Sequence, residues 1–234
     1  MKIHLLGLAH VATRLEESCC AYTTKIINLC SMLRGSGHHV ILYGCAGSEA
    51  ALADEFVEVV SQETWASCYA HHDRVRYQYK WRQNDRAWRE LQIRAEAAIL
   101  ERMTEANEIV MCPFGLAHAA ATRRLPSEAI VVEPGIGYSG VFAKWRAYES
   151  SVWYHYLLGQ STARNKVPIG DHYHAIIPQA INPEMFVPSS SEGYHLYMGR
   201  LNRDKGYPTA LEACERLGVE LLLVGQLPDP PADE

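Results

Sequence analysis

"YHLYMGRLNRDKGYPTALEACERLGVELLLVG" occupies residues 194–225. An apolar run (194–199) leads into a turn, an amphipathic stretch over 208–217 follows, and a second apolar run (219–225) closes the segment. That order reads as a strand, a helix and a second strand, the β-α-β unit of a parallel sheet. The turn places Gly199 before Arg200 and Lys205 before Gly206. In open α/β sheets, ligands bind beyond the carboxyl ends of strands. A glycine there lets backbone approach a ligand, an arginine fork matches phosphate oxygens, and a lysine adds a point charge. The turn therefore reads either as a diphosphate clamp or, because Arg203 and Asp204 lie in it too, as a solvated turn.

Upstream the same alternation recurs. Strands are expected at 3–9, 40–44, 55–60, 108–112, 129–133 and within 173–181, and helices over 18–34, 83–106 and near 116–124. In the first helix Tyr22, Ile26, Leu29 and Leu33 fall at helical spacing, and "GSGHH" (35–39) ends it. Uninterrupted apolar strands between helices predict an α/β fold with a parallel sheet covered on both faces. Residues 182–193, "NPEMFVPSSSEG", read as a linker. The expected organisation is a first domain over 1–181, the linker 182–193, and the opening of a second domain over 194–234. One β-α-β unit cannot bury both faces of its sheet, so the second domain is expected to be incomplete.

The chain has 234 residues, 48% of them hydrophobic, and a net charge of −5, which provides a core but no general attraction to polyanions. Seven cysteines at irregular spacing, with no Cys-x-x-Cys pair, predict free thiols and a reducing, cytoplasmic setting. No apolar run approaches the length of a membrane span. His38-His39, His71-His72 and "DHYH" (171–174) lack partners at ligand spacing, so no metal is expected.

"PQAINPEMF" (178–186), followed by "YMGRLNRDKGYPTALEAC" and "VELLLVG", resembles the domain crossing and donor-site opening of glycosyltransferase family 4, the retaining enzymes of GT-B architecture. Pro178, Asn182 and Phe186 match the family's Pro-Asn-Gly-x-Asp/Asn-x-x-x-Phe segment, while Gln179 and Ala180 depart from it. Gly199, Arg200, Leu201, Lys205 and Gly206 match its Gly-Arg-Leu and Lys-Gly elements in order and spacing. Residues 10–44 and 131–156 resemble a branch with phage and environmental members, although the family's common glycine-rich loop after the first strand is replaced by "HVATRLEESCCAYT". The resemblance implies a GT-B-type Rossmann-like fold and transfer of a sugar from a nucleotide-diphosphate sugar to a hydroxyl with retention. It implies that Arg200 and Lys205, with Gly199 and Gly206, hold the diphosphate, and that no cofactor is needed. The family's Glu-x7-Glu donor segment would fall beyond residue 234. Three alternatives follow: a truncated chain, a partner chain supplying the missing half, or a non-catalytic nucleotide-binding or interaction module.

In the first domain, a family histidine faces the donor sugar. The candidates are His118, at the start of a short helix, and His10, directly after the first strand; His174 sits within a strand and reads as structural. Glu133 ends a strand and leads into "EPGIGYSG", where Gly135, Gly137 and Tyr138 form a loop able to approach a sugar or acceptor. The alternative is a tight turn with its acid in solvent. Glu149 reads as a surface acid on an aromatic helix. Residues 74–94 carry seven basic and two acidic residues with Tyr77, Tyr79, Trp81 and Trp88 interleaved. That pattern suits either a polyanionic acceptor, such as a lipid-linked glycan or modified nucleic acid, or an ordinary helix with packed aromatics and wet arginines.

Overall fold

The computed structural model describes residues 1–70, 81–165, 172–190 and 193–225. They divide into two compact units that meet at the Asn182–Pro183 bond.

The first unit is built on seven parallel strands. In chain order they are β1 (Lys2–Leu6), β2 (His39–Cys45), β3 (Glu55–Val60), β4 (Ile109–Met111), β5 (Ile130–Ile136), β6 (Trp145–Tyr148) and β7 (His174–Ile176). Across the sheet the order is β3-β2-β1-β4-β5-β6-β7. Helices α1 (Ala21–Gly35), α2 (Gln62–Tyr69), α3 (Arg86–Arg102) and α4 (Ser151–Asn165) connect and cover the strands. The sheet grows outward from β1 in one direction and from β4 in the other. The β1/β4 boundary is thus the switch point at which open α/β sheets leave a crevice beyond the strand ends.

The core follows from the strand composition. Leu5, Leu42 and Val110 are fully buried on neighbouring strands, and α1 and α3 add Ile26, Cys30, Trp88, Leu91 and Ile99. Burying one such side chain is worth about 1.5–3 kcal/mol. Two helix starts have a local cause: Asp85 accepts the Trp88 N–H to cap α3, and Ser61 accepts the Thr64 N–H to cap α2. Beyond α1, Gly37 takes φ +78°, the left-handed conformation that ends the helix.

Beneath β1 and β4 lies a buried polar knot. His4 bridges the Tyr43 hydroxyl and Glu108 Oε2, each at 2.7 Å. Glu108 Oε1 also accepts the Thr104 hydroxyl and the backbone N–H groups of Thr104 and Glu105. Burial alone would push Glu108 up, but these donors pull it down to about 2. Burial lowers His4 despite its carboxylate neighbour.

The second unit holds one β-α-β element: β8 (His195–Met198), α5 (Tyr207–Leu217) and β9 (Leu221–Val224), with β8 and β9 parallel.

Several expectations are refined. The segment near 116–124 forms two 3-10 turns, Gly115–Ala117 and Ala119–Thr122, rather than a helix. The expected 83–106 helix is confined to α3, started by Asp85 and ended at Met103 by extended backbone. Helix α2 and strand β6 were not expected. Glu149 lies just before α4 rather than on it. Of the basic-aromatic stretch, residues 74–80 lie outside the described residues, as do His71, His72 and Asp171. In its described part Trp88 is fully buried, while Arg82, Arg86, Arg89 and Arg94 are exposed. All seven cysteines are free thiols. No described helix is long and apolar enough to cross a membrane.

Candidate functional site

At the switch point, the carboxyl ends of β1 and β4 are tied together by His118. Its Nε2 donates to the Gly7 carbonyl at 2.8 Å, and its Nδ1 accepts the Phe114 N–H at 3.3 Å. Both nitrogens are thereby used by a neutral ring, and burial lowers its pKa to about 4. His118 was expected at the start of a short helix, as a candidate to face a donor sugar; it is instead fully buried, a bolt between two loops. His10 sits in an aromatic wall. Its ring stacks on Trp81, with centroids 5.5 Å apart, and lies near Trp88 and Phe114.

The end of β5 holds the second cluster. Glu133 was expected in a loop open to ligand or solvent. The structure buries it completely, and its Oε2 accepts the backbone N–H groups of Phe142 and Ala143, each at 2.8 Å. Tyr138 donates to Oε1 at 3.3 Å. The carboxylate therefore folds the 137–143 loop back onto its own strand. Burial raises its pKa against the opposing pull of those donors.

Lys25 of α1 reaches the same loop, a residue the sequence reading missed. Its ammonium donates to the Gly135 carbonyl and lies over the rings of Tyr22 (4.7 Å) and Tyr138 (5.6 Å). Only 5% of it is exposed, and burial lowers its pKa to about 8. Gly135 takes φ +63° and leaves little room over the Lys25 stem. At Gly137 a side chain would collide with the Glu149 carboxylate, which accepts a hydrogen bond from Gln179 at 2.6 Å. The glycines are thus needed for packing as well as for turning. The signal for Lys25 was present: it lies three residues after Tyr22 and four before Leu29, on the apolar face of α1.

In the second unit, Gly199 follows β8 and its N–H donates to the Val224 carbonyl at 2.9 Å. Gly225 passes so close to the Gly199 carbonyl that a side chain at 225 would collide with it. Asn202 caps the following 3-10 turn by accepting the Lys205 N–H at 3.1 Å, and Gly206 takes φ +80° directly before α5. The Tyr197 hydroxyl lies 3.1 Å from the Arg200 carbonyl and 3.2 Å from the Lys205 carbonyl and shares its one proton between the two ends of the turn. The Arg200 and Lys205 side chains are exposed and make no hydrogen bond or ion pair with a described residue. No group of three or more His, Cys, Asp or Glu suited to a metal ion occurs among the described residues.

A parallel sheet with a switch point and helices around it makes this an α/β, Rossmann-like protein. No protein-family model matches the sequence, and no curated protein does. Among solved structures, the fold is shared with the crystal structure of AviGT4, a glycosyltransferase involved in avilamycin A biosynthesis. The match has a TM-score of 0.57 at 16% identity and covers 95% of this chain. The chain spans 56% of that neighbour's length.

Proposed function

We propose that this chain is part of a retaining, nucleotide-sugar-dependent glycosyltransferase of GT-B architecture and family 4 type. The observation that carries the proposal is the pair Arg200 and Lys205. Two cations stand at the carboxyl end of β8, on a turn shaped by Gly199, Gly206 and Tyr197, with no acidic partner among the described residues. The fold shared with a glycosyltransferase supports the reading.

In the reaction, the bond between the donor sugar's anomeric carbon and the diphosphate oxygen breaks, and the electron pair leaves with the diphosphate. An acceptor hydroxyl bonds to the same carbon on the face the leaving group vacated, and its proton is released. Arg200 and Lys205 meet the charge that grows on the leaving oxygens, so no metal or cofactor is required. Each charge-assisted hydrogen bond contributes about 1.5–3 kcal/mol. The exposed apolar faces of β8 and β9 fit the opening of a larger Rossmann-like donor domain.

In the first unit, the loop with Gly135, Gly137 and Tyr138 is assigned to the acceptor. His10 contributes an aromatic wall; His118 and Glu133 act by holding the loops, since neither reaches the surface. The free cysteines suit a cytoplasmic setting.

A thermal-shift series with nucleoside diphosphates and their sugars tests the assignment. One nucleotide series is expected to raise the melting temperature in a concentration-dependent way, as mass action requires. No response across uridine, guanosine, adenosine and thymidine diphosphates would remove the donor role.

A further inference from the structure

Beneath α4, on the face of β6 and β7, lies a cavity of about 190 Å³ whose lining includes Lys144, Arg146, Tyr148, Tyr154, Ser161 and His174. Its lining comes from β6, β7, α4 and Lys144 just before β6, and the proposed sugar transfer does not use it. Among the described residues, its lining carries two basic side chains and no acid. Three further groups (two phenols and a hydroxyl) can each donate a hydrogen bond.

The cations are held in place by neutral partners. Arg146 is half-buried, and its Nε donates to the Ala143 carbonyl at 2.7 Å. Lys144 lies 3.8 Å over the Tyr173 ring. Neither forms an ion pair with a described residue. Glu133 pairs in register with Arg146 across the sheet, but its carboxylate is committed to the Phe142 and Ala143 N–H groups. Glu133 attracts the half-buried guanidinium only through space, without an ion pair, and a partly desolvated guanidinium is stabilised when an anion joins it directly.

Size narrows the ligand. The cavity is smaller than the roughly 300 Å³ at which sites for whole small molecules begin. It has space for one compact group. A tetrahedral oxyanion can accept from donors carried on several elements, and here they come from β6, α4 and the residue before β6, whereas a planar carboxylate is served by a single fork. We infer that this cavity is a binding site for a single phosphoryl group, as free phosphate or as the terminal group of a phosphate monoester, held by Arg146 and Lys144.

The test is a titration of the full chain with orthophosphate, glucose 1-phosphate and acetate at constant ionic strength, followed by calorimetry and by chemical shifts of the Arg146 and Ser161 amides. Orthophosphate is expected to bind and to move those amides, and acetate to bind at least tenfold more weakly. Binding of glucose 1-phosphate as well identifies the ligand as a monoester; its failure to bind while orthophosphate binds identifies the free ion. Arg146→Gln is expected to weaken phosphate binding at least tenfold. Lys144→Gln alters an exposed side chain and leaves the fold intact, and is expected to weaken it about threefold. Arg200→Ala is expected to leave it unchanged, which separates this site from the diphosphate turn. Absence of saturable phosphate binding, equal binding of acetate, or binding unaffected by both cavity substitutions overturns the inference.

Discussion

Leu5, Leu42 and Val110 occupy adjacent strands of the first unit with no exposure, whereas Leu196, Met198, Leu222 and Val224 on the two strands of the second are 52%, 77%, 40% and 50% exposed. Both regions use the same apolar β-α-β pattern. The difference is the number of layers around it. Seven strands with helices around them enclose a core. Two strands and one helix leave Cys214, 8% exposed, as the only buried residue among the described residues of the second unit. The cations divide in the same way: Lys25 is buried among rings and a carbonyl, whereas Arg200 and Lys205 stand in solvent. Polar groups at the strand ends of the first unit mostly hold structure, and those of the second remain available to a ligand.

Substitutions at matching apolar positions should separate the units most strongly. Leu5→Ala is expected to cost about 3–5 kcal/mol, read as a lowered denaturant midpoint. Leu222→Ala, at a strand already open to water, is expected to cost under ~1 kcal/mol by the same measurement. Comparable losses would show that the strands of the second unit are as deeply packed as those of the first.

Two buried titrating groups sharpen the contrast further. Glu108 has a folded pKa depressed to about 2 from 4.5. Its contribution is therefore full above about pH 4.5 and is lost as pH falls toward 2. Wild type is expected to exceed Glu108→Gln by roughly 3 kcal/mol at neutral pH, with the gap closing in acid. Lys25 runs the other way. Its folded pKa lies near 8, below the ordinary 10.5, so the unfolded chain binds more protons between those values. Relative to Lys25→Met, wild type should gain up to ~3 kcal/mol as pH rises from 8 to 10.5. Parallel curves for the two proteins across that range would mean that Lys25 is solvated.

Most strands were legible because each is a short apolar run between turn residues. Helix α2 was not, because "QETWASCY" is short and carries little apolar pattern; only Ser61 marks its start. Strand β6 was missed because "WRAY" mixes exposed and buried positions. Glu133 could be placed on a strand, but β5 runs on to Ile136 rather than ending there, and nothing in the sequence shows Phe142 and Ala143 returning to its carboxylate. His118 was misplaced for a related reason: its two partners, Gly7 and Phe114, come together only when β1 and β4 pair. The Gly199–Gly206 turn was legible because its geometry is local: Asn202, Tyr197 and the flanking glycines shape it within a few residues.

Calorimetric titration of wild type and Arg200→Ala with the nucleoside diphosphate that gives the largest thermal shift is the most direct measurement. The account predicts a dissociation constant about 10- to 100-fold weaker for the variant, with an unchanged unfolding midpoint. Equal dissociation constants for the two proteins would contradict it.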